Sequence, residues 1–323
     1  MEAARGDEVG VTATAVRFQK HMRIVALASL VGLMVFRHSP VEAQQAGPED
    51  HATQVQAWRA RHEADYRRDF VTIAGLHVLE PGTHTVGSAP GNDIVLDAAV
   101  PGRLGQLIVQ GERVQFDAAP GVVVTRKEQP VATPVVLTEP GRRPAEPIAI
   151  NAVTLAIHVT GGQLALRVRD PGGKMARAFA GFAWFTIDPA YRVTGRFIRD
   201  AAPRKLPVMN TFNVVDMYDT EGVIEFTLRG ETLRLRPFTT RPGRFYIVFR
   251  DASGGVETYE AARFLYADLK DDGTTVLDFN QAYNPPCAFN KYTTCPIPLK
   301  ENVLPVKILA GEKAYAGHAD PKR

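Results

Sequence analysis

The sequence predicts a mainly β protein: a signal segment and one docking helix, then two β-domains. Three observations carry that expectation. Glycine and proline are frequent, 27 and 23 in 323 residues, as short strands joined by turns require. Between them lie many short runs rich in β-branched and aromatic residues, most alternating apolar with polar. A single stretch near the N-terminus has helical periodicity.

Composition sets the outer limits. The chain is 45% hydrophobic and 23% charged, ordinary for a folded globular protein, and long enough for two domains. A net charge of +3 with a pI near 8.8 is too mild for a nucleic-acid binder, and no such motif is present.

The first element is the apolar run "IVALASLVGLMVF", Ile24 to Phe36, behind the basic "RFQKHMR". A membrane span needs roughly 20 such residues, so this run fits the core of a secretory signal better. "VEA" ending at Ala43 offers the small residues a signal peptidase reads, and Met22 is an alternative start. A signal peptide over residues 1–43 and an exported, periplasmic or secreted protein are the expectation. An uncleaved N-terminal anchor is the rival, and it would be the chain's sole membrane contact.

A linker and amphipathic helix follow over 44–70. In "PEDHATQVQAWRARHEADYRRDF", Pro48, Glu49 and Asp50 suit a helix start, and Arg67 and Arg68 suit its end. Val55, Trp58, His62 and Tyr66 form one stripe, with Trp58 docking the helix on a β-domain.

Residues 71–140 read as a β-sandwich, from "FVTIAGLHVL", "GTHTVGS", "NDIVLD", "GQLIVQG", "ERVQFDA" and "GVVVTRK". Its segment "TVGSAPGNDIVL" is similar to the opening of forkhead-associated domains. Those domains read phosphothreonine with an Arg after the Gly and a Ser-x-x-His turn. Ser88 stands in the Arg place, and "PGRLGQL" has neither Ser nor His, so the resemblance implies the fold without phosphopeptide reading.

The Pro- and charge-rich "TEPGRRPAEPIAI" (Thr138 to Ile150) marks the expected boundary. Residues 141–315 then form a larger antiparallel sandwich or barrel. Its strands are expected at "AVTLAIHV", "QLALRVRD", "YRVTGRFIR", "GVIEFTLRG", "ETLRLRPF", "RFYIVFRD", "ARFLYADL", "TTVLDFN" and "VLPVKILAG". "LRGETLRL" reads as a hairpin through Gly230 and Glu231. Residues 316–323, with His318, are a tail.

"RDASGGVETYEAARFLYAD" and "DFNQAYNPPCAFNKYTTCPIPLKENVLPVKILAGEK" resemble the family catalogued as domain of unknown function 1684, found in bacteria and archaea. The resemblance runs from "VQAWRARHE" through "GSAPGNDIVL" and "AFAGFAWFTIDPAYRV" to "AGEK". Departures are mild: His77 or Val78 stands where the family often has Trp, and Ala261 and Ala262 where it has Gly. The resemblance identifies relatives and implies no reaction.

The block "NPPCAFNKYTTCP" holds both cysteines, Cys287 and Cys295. In an exported protein the expectation is a rigid, disulfide-closed loop that packs on the C-terminal domain and walls its polar site, and closing so short a loop would add about 2.5 kcal/mol. Two thiolates make half a zinc shell, yet no Cys-x-x-Cys or close His pair supplies the rest, so no metal is expected. A nucleophilic Cys287 needs a base; His77, His84 and His158 have no local motif linking them to it.

Arginine placement points elsewhere. Leu164, Leu166 and Val168 share one strand face, leaving Arg167 and Arg169 on the other. Arg192, Arg196, Arg250 and Arg263 also fall in or beside strands. Guanidinium groups gathered on one face suit carboxylate or phosphate, whereas a salt-bridged outer face is the bland alternative. Asp251, Ser253, Thr258, Tyr259, Asp278, Asn280 and Asn284 add polar groups near the cysteine block.

Three function classes follow: a module binding a small anionic ligand or sugar in the C-terminal β-domain, a hydrolase using Asp278 or Cys287, and an envelope scaffold. No catalytic motif is complete and no cofactor is implied. A cleft lined by Arg263, Tyr259 and Asn280 would favour the first two, and a filled core the third.

Overall fold

The computed structural model describes residues 48–160 and 162–317. The expected signal segment 1–43, the linker before Pro48, and His318 lie outside the described residues.

Helix α1 (Pro48–Tyr66) continues into a π-turn, Arg67–Val71. Its stripe faces inward: Val55 and Tyr66 are buried, Trp58 and His62 half-buried. Trp58 meets Trp184 edge-on at 5.9 Å and Tyr283 at 6.1 Å, so the helix docks on the C-terminal half. Among the described residues no helix is long and apolar enough to cross a membrane.

Two antiparallel-dominated sheets form the N-terminal sandwich. Its strands are β1 (Ile73–Val78), β2 (Gly82–Gly87), β3 (Ile94–Val95), β4 (Gly105–Gln110), β5 (Arg113–Ala118), β6 (Thr125–Arg126), β7 (Gln129–Pro130), β8 (Val135–Thr138), β9 (Ile148–Ile150), β10 (Val153–Thr160) and β11 (Gln163–Arg169). One sheet runs β3-β2-β4-β5-β8 and the other β1-β11-β10-β9-β6-β7. Their core extends in sequence from Leu79 to Val168.

The boundary expected over 138–150 therefore falls inside this sandwich. Strand β1 pairs with β11 along its length, Leu76 opposite Arg167. The Pro-rich stretch is a connection that carries the chain from one sheet to the other. Pro and charge mark exposed backbone, and a domain-internal crossing exposes it as much as a linker does.

The C-terminal half holds α2 (Lys174–Ala178), β12 (Arg192–Met209), β13 (Val215–Leu228), β14 (Glu231–Leu235), β15 (Phe238–Arg241), β16 (Arg244–Phe249), β17 (Arg263–Asp268) and β18 (Thr274–Asp278). Sheet β14-β13-β12-β18 and sheet β15-β16-β17 share one apolar core, with Phe226 and Leu277 from the first and Ile247 and Leu265 from the second. The second sheet is covered on both faces. Phe245, Ile247 and Phe249 enter that core, while Val248 and Phe264 pack with the aromatic cluster beneath α1. Burial on both faces explains why "RFYIVF" does not alternate.

Two local expectations are corrected. The β13–β14 turn is Arg229–Gly230, at φ 51° and 86°, with Glu231 already paired to Leu228. Two successive positive φ values are the hairpin signature, and Gly takes the second without strain. "VLPVKILAG" forms no strand; it is a strap that a bridge from Val303 to Arg250 ties to the end of β16. Its one proline, Pro305, withholds a donor that a ladder needs.

Candidate functional site

A cleft of about 410 Å³ opens where the edges of β17 and β18 meet the first turns of α1. Asp278 ends β18 and caps a following 3₁₀ turn; its Oδ1 accepts from the backbone N–H of Asn280 at 3.1 Å and from Asn280 Nδ2 at 3.0 Å. His51 Nε2 donates to Asp278 Oδ2 at 2.7 Å. A carboxylate only accepts, so this bond places a proton on Nε2 and leaves Nδ1 turned away from Asp278. Nδ1 takes no partner among the described residues.

Cations surround this pair. Arg192 stands opposite Asp278 across the β12–β18 ladder, which puts both side chains on one face. Lys270 and Arg244 complete the rim with Trp58 and Tyr266. Arg244 pairs with Asp268 at 2.6 Å and lies 5.0 Å over Tyr266, whereas Arg192 and Lys270 form no ion pair among the described residues. Behind the pair, Arg59 donates to the carbonyls of Phe185 and Asn280 at 3.0 and 3.1 Å. Burial lowers the Arg59 pKa, and the nearby Asp278 charge opposes that.

The other expected site residues lie elsewhere. Arg263 is 1% exposed and sits in a filled core; its guanidinium donates to Asp251 Oδ2 at 2.8 Å, to the Ile308 carbonyl at 2.9 Å and to the Ala310 carbonyl. Asn280 clasps the Asp188 backbone, accepting from its N–H and donating to its carbonyl, both at 2.9 Å. Asn284 donates through N–H and Nδ2 to Glu312 at 2.9 and 2.8 Å. Tyr259 is half-buried and points its hydroxyl at Cys287 Sγ, 3.8 Å away. Arg250 is exposed beyond β16. Arg167 and Arg169 sit on β11, in the N-terminal sandwich and not in the C-terminal domain; burial with Arg169 alongside brings the Arg167 pKa down to about 10. Of the nine expected ligand residues, Asp278 alone lines the cleft.

Both cysteines are free thiols, which corrects the disulfide reading. The Cys287 N–H donates to Cys295 Sγ at 3.4 Å. Burial pushes the Cys295 thiol well up, while its hydrogen bond to Cys287 lowers the Cys287 pKa. Thiol exchange needs a thiolate, and the buried member resists becoming one.

Sequence reasoning missed His51, although a signal was present. It lies four residues before Val55 and so extends the inward stripe by one turn.

Fold and site together define a mainly β protein with a helix-capped, cation-rimmed cleft at the junction of two sheets. Residues 177–313 match the profile of a family described as protein of unknown function (DUF1684). The match supports that family for the C-terminal part, which supplies the sheet side of the cleft; α1 lies outside it. The solution NMR structure of an uncharacterized protein of Haloarcula marismortui is 29% identical, covering 46% of this chain and 85% of that one, with a TM-score of 0.38. No curated protein matches.

Proposed function

We propose that this protein is exported and binds a small anionic or polyhydroxylated ligand in the cleft between α1 and the C-terminal sheets. The carrying observation is the His51–Asp278 pair at 2.7 Å, set in a 410 Å³ cleft beside two cations that have no ion-pair partner among the described residues. A planar guanidinium and an ammonium converging on one opening suit a phosphate or carboxylate, and Trp58 and Tyr266 offer flat apolar walls. The export reading rests on the basic flank and short apolar run of the N-terminal segment. Fractionation with intact-mass measurement tests it; full-length chain in the cytosol would overturn it.

The N-terminal sandwich is read as a forkhead-associated-like fold that does not recognise phosphothreonine. Ser88 supports the second half of that statement, because its Oγ is spent on the Val100 carbonyl at 2.9 Å.

Binding is tested by calorimetry with inorganic phosphate, phenyl phosphate and gluconate. Saturable binding that falls about tenfold in Arg192→Ala and further in Arg192→Ala/Lys270→Ala is expected, each tenfold being 1.4 kcal/mol. Absence of binding by all three would favour the scaffold reading. The His–Asp pair also favours a hydrolytic reading, in which Nδ1 takes a proton from water as the water oxygen bonds to an ester carbonyl carbon, then returns it to the alkoxide that leaves when the ester C–O bond breaks. His51→Gln separates the two, since it keeps a donor to Asp278 and removes the base.

A further inference from the structure

We propose that the loop between the two cysteines walls a second ligand site, for a small amphiphilic monocarboxylate such as a medium-chain fatty acid. This site is independent of the cleft at His51. A cavity of about 390 Å³ lies between the π-turn–β1 junction, α2 and that loop. Val71, Ile73, Met175, Ala176, Phe289 and Tyr292 make its walls mostly apolar. Its volume falls in the ordinary range of small-molecule pockets, and its position at a seam between folded layers is where such pockets occur.

The cavity is held open by specific bonds. Asn290 Nδ2 donates to the carbonyls of Phe70 and Ile73 at 2.8 and 2.9 Å, tying the loop to the opposite wall. Its Oδ1 accepts from the N–H of Tyr292 at 2.9 Å, and its carbonyl accepts from Thr293 Oγ1 at 2.7 Å. Walls fixed before binding cost the ligand little ordering entropy.

Charge at the mouth selects the head group. Asp170 is satisfied, with Oδ1 accepting from the Gly172 N–H at 2.8 Å and Oδ2 from the Ala99 N–H at 2.9 Å. Asp97 is neutralised by Lys174 at 3.0 Å. Lys291 remains: it is exposed, lies 5.1 Å over the Tyr292 ring, and has no carboxylate partner among the described residues. Asp170 is buried with both oxygens turned onto backbone N–H donors, whereas Lys291 is exposed, so the ammonium is the charge a head group meets at the opening, and an acid with an apolar tail suits it. A polyol would leave the walls wet, and an alkylamine would meet like charge.

NMR titration of the folded protein with hexanoate, octanoate and octylamine tests this. Octanoate should shift the signals of Val71, Ile73 and Met175 saturably and bind more tightly than hexanoate by about fourfold for each added methylene. Octylamine should bind at least tenfold more weakly than octanoate. Lys291→Glu, a surface change, should weaken octanoate about tenfold, and Ala176→Phe should fill the cavity and abolish binding. Both variants should leave phosphate binding at the cleft unchanged. No saturable shifts, octylamine binding as well as octanoate, or indifference to Lys291→Glu would each overturn the proposal.

Discussion

Asp251 and Asp278 are both buried aspartates of the C-terminal half, yet one is closed and the other open. Asp251 accepts from the Ser253 N–H and Oγ, the Ile308 N–H and Arg263, so every donor belongs to the same core. Asp278 accepts from Asn280 on one oxygen and from His51 of α1 on the other, at the wall of a cleft. The residue types are alike; what differs is whether a helix from outside the sheet supplies a donor. A closed shell fixes the fold, whereas a shell completed by a distant helix leaves room beside it for a ligand.

The largest effect should come from opening the closed shell. Arg263→Met strands the Asp251 charge in a fully buried site, with a loss of about 3–5 kcal/mol in urea unfolding. The Ile308 and Ala310 carbonyls lose their donor as well, releasing the C-terminal strap. A loss below about 1 kcal/mol would show that water reaches Asp251, and the contrast with Asp278 would collapse.

Sequence showed the polar residues but not their direction. Arg263 in "ARFLYAD" reads like Arg167 in "QLALRVRD", an arginine among apolar neighbours. Burial of β17 on both faces places the first in a core, while the second is only half-buried on one face of β11. Strand existence was legible because period-two patterning is local. The 138–150 boundary was not, because β1–β11 pairing joins residues about ninety positions apart and leaves no local mark. Asp278 was found because it stood in a dense polar block. His51 was hidden because its partner is 227 residues away.

Glu312 gives a second, pH-dependent test of the closed region. Burial raises its pKa to about 8, against the opposing hydrogen bonds from Asn284. The unfolded carboxyl releases its proton near 4.5, so between these values the folded state binds more protons. Stability should therefore fall as pH rises through that window, by up to about 1.4 kcal/mol per unit, and level off above it. Glu312→Gln cannot titrate, and the difference in urea midpoint between it and the parent should carry this slope. A flat difference would mean that Glu312 is charged in the fold throughout.

The open region should respond more mildly. His51→Ala removes one donor from Asp278 and loosens the start of α1, for about 1–3 kcal/mol. His51→Gln should recover most of that. Arg192→Ala should change stability by less than about 0.5 kcal/mol, as expected of an exposed arginine with no ion pair among the described residues. Equal losses from Arg192→Ala and His51→Ala would make the cleft as structural as the Asp251 core.

The smallest effect concerns the cysteines, and it decides what closes the Asn-Pro-Pro-Cys loop. A disulfide would have made reduction cost about 2.5 kcal/mol. In the structure the loop is pinned instead by Asn290 on the Phe70 and Ile73 carbonyls and by burial of Phe289 and Cys295. Pro285 and Pro286 stiffen its entry and lower the chain entropy lost on ordering. Two thiols per chain should thus titrate in denaturant without reductant, and adding reductant should change the unfolding free energy by less than about 0.5 kcal/mol. Asn290→Ala should cost about 1–3 kcal/mol, since both carbonyls and the loop then lose a shared partner. Finding no free thiols, together with a stable Asn290→Ala variant, would transfer the pinning from the asparagine to the sulfur atoms.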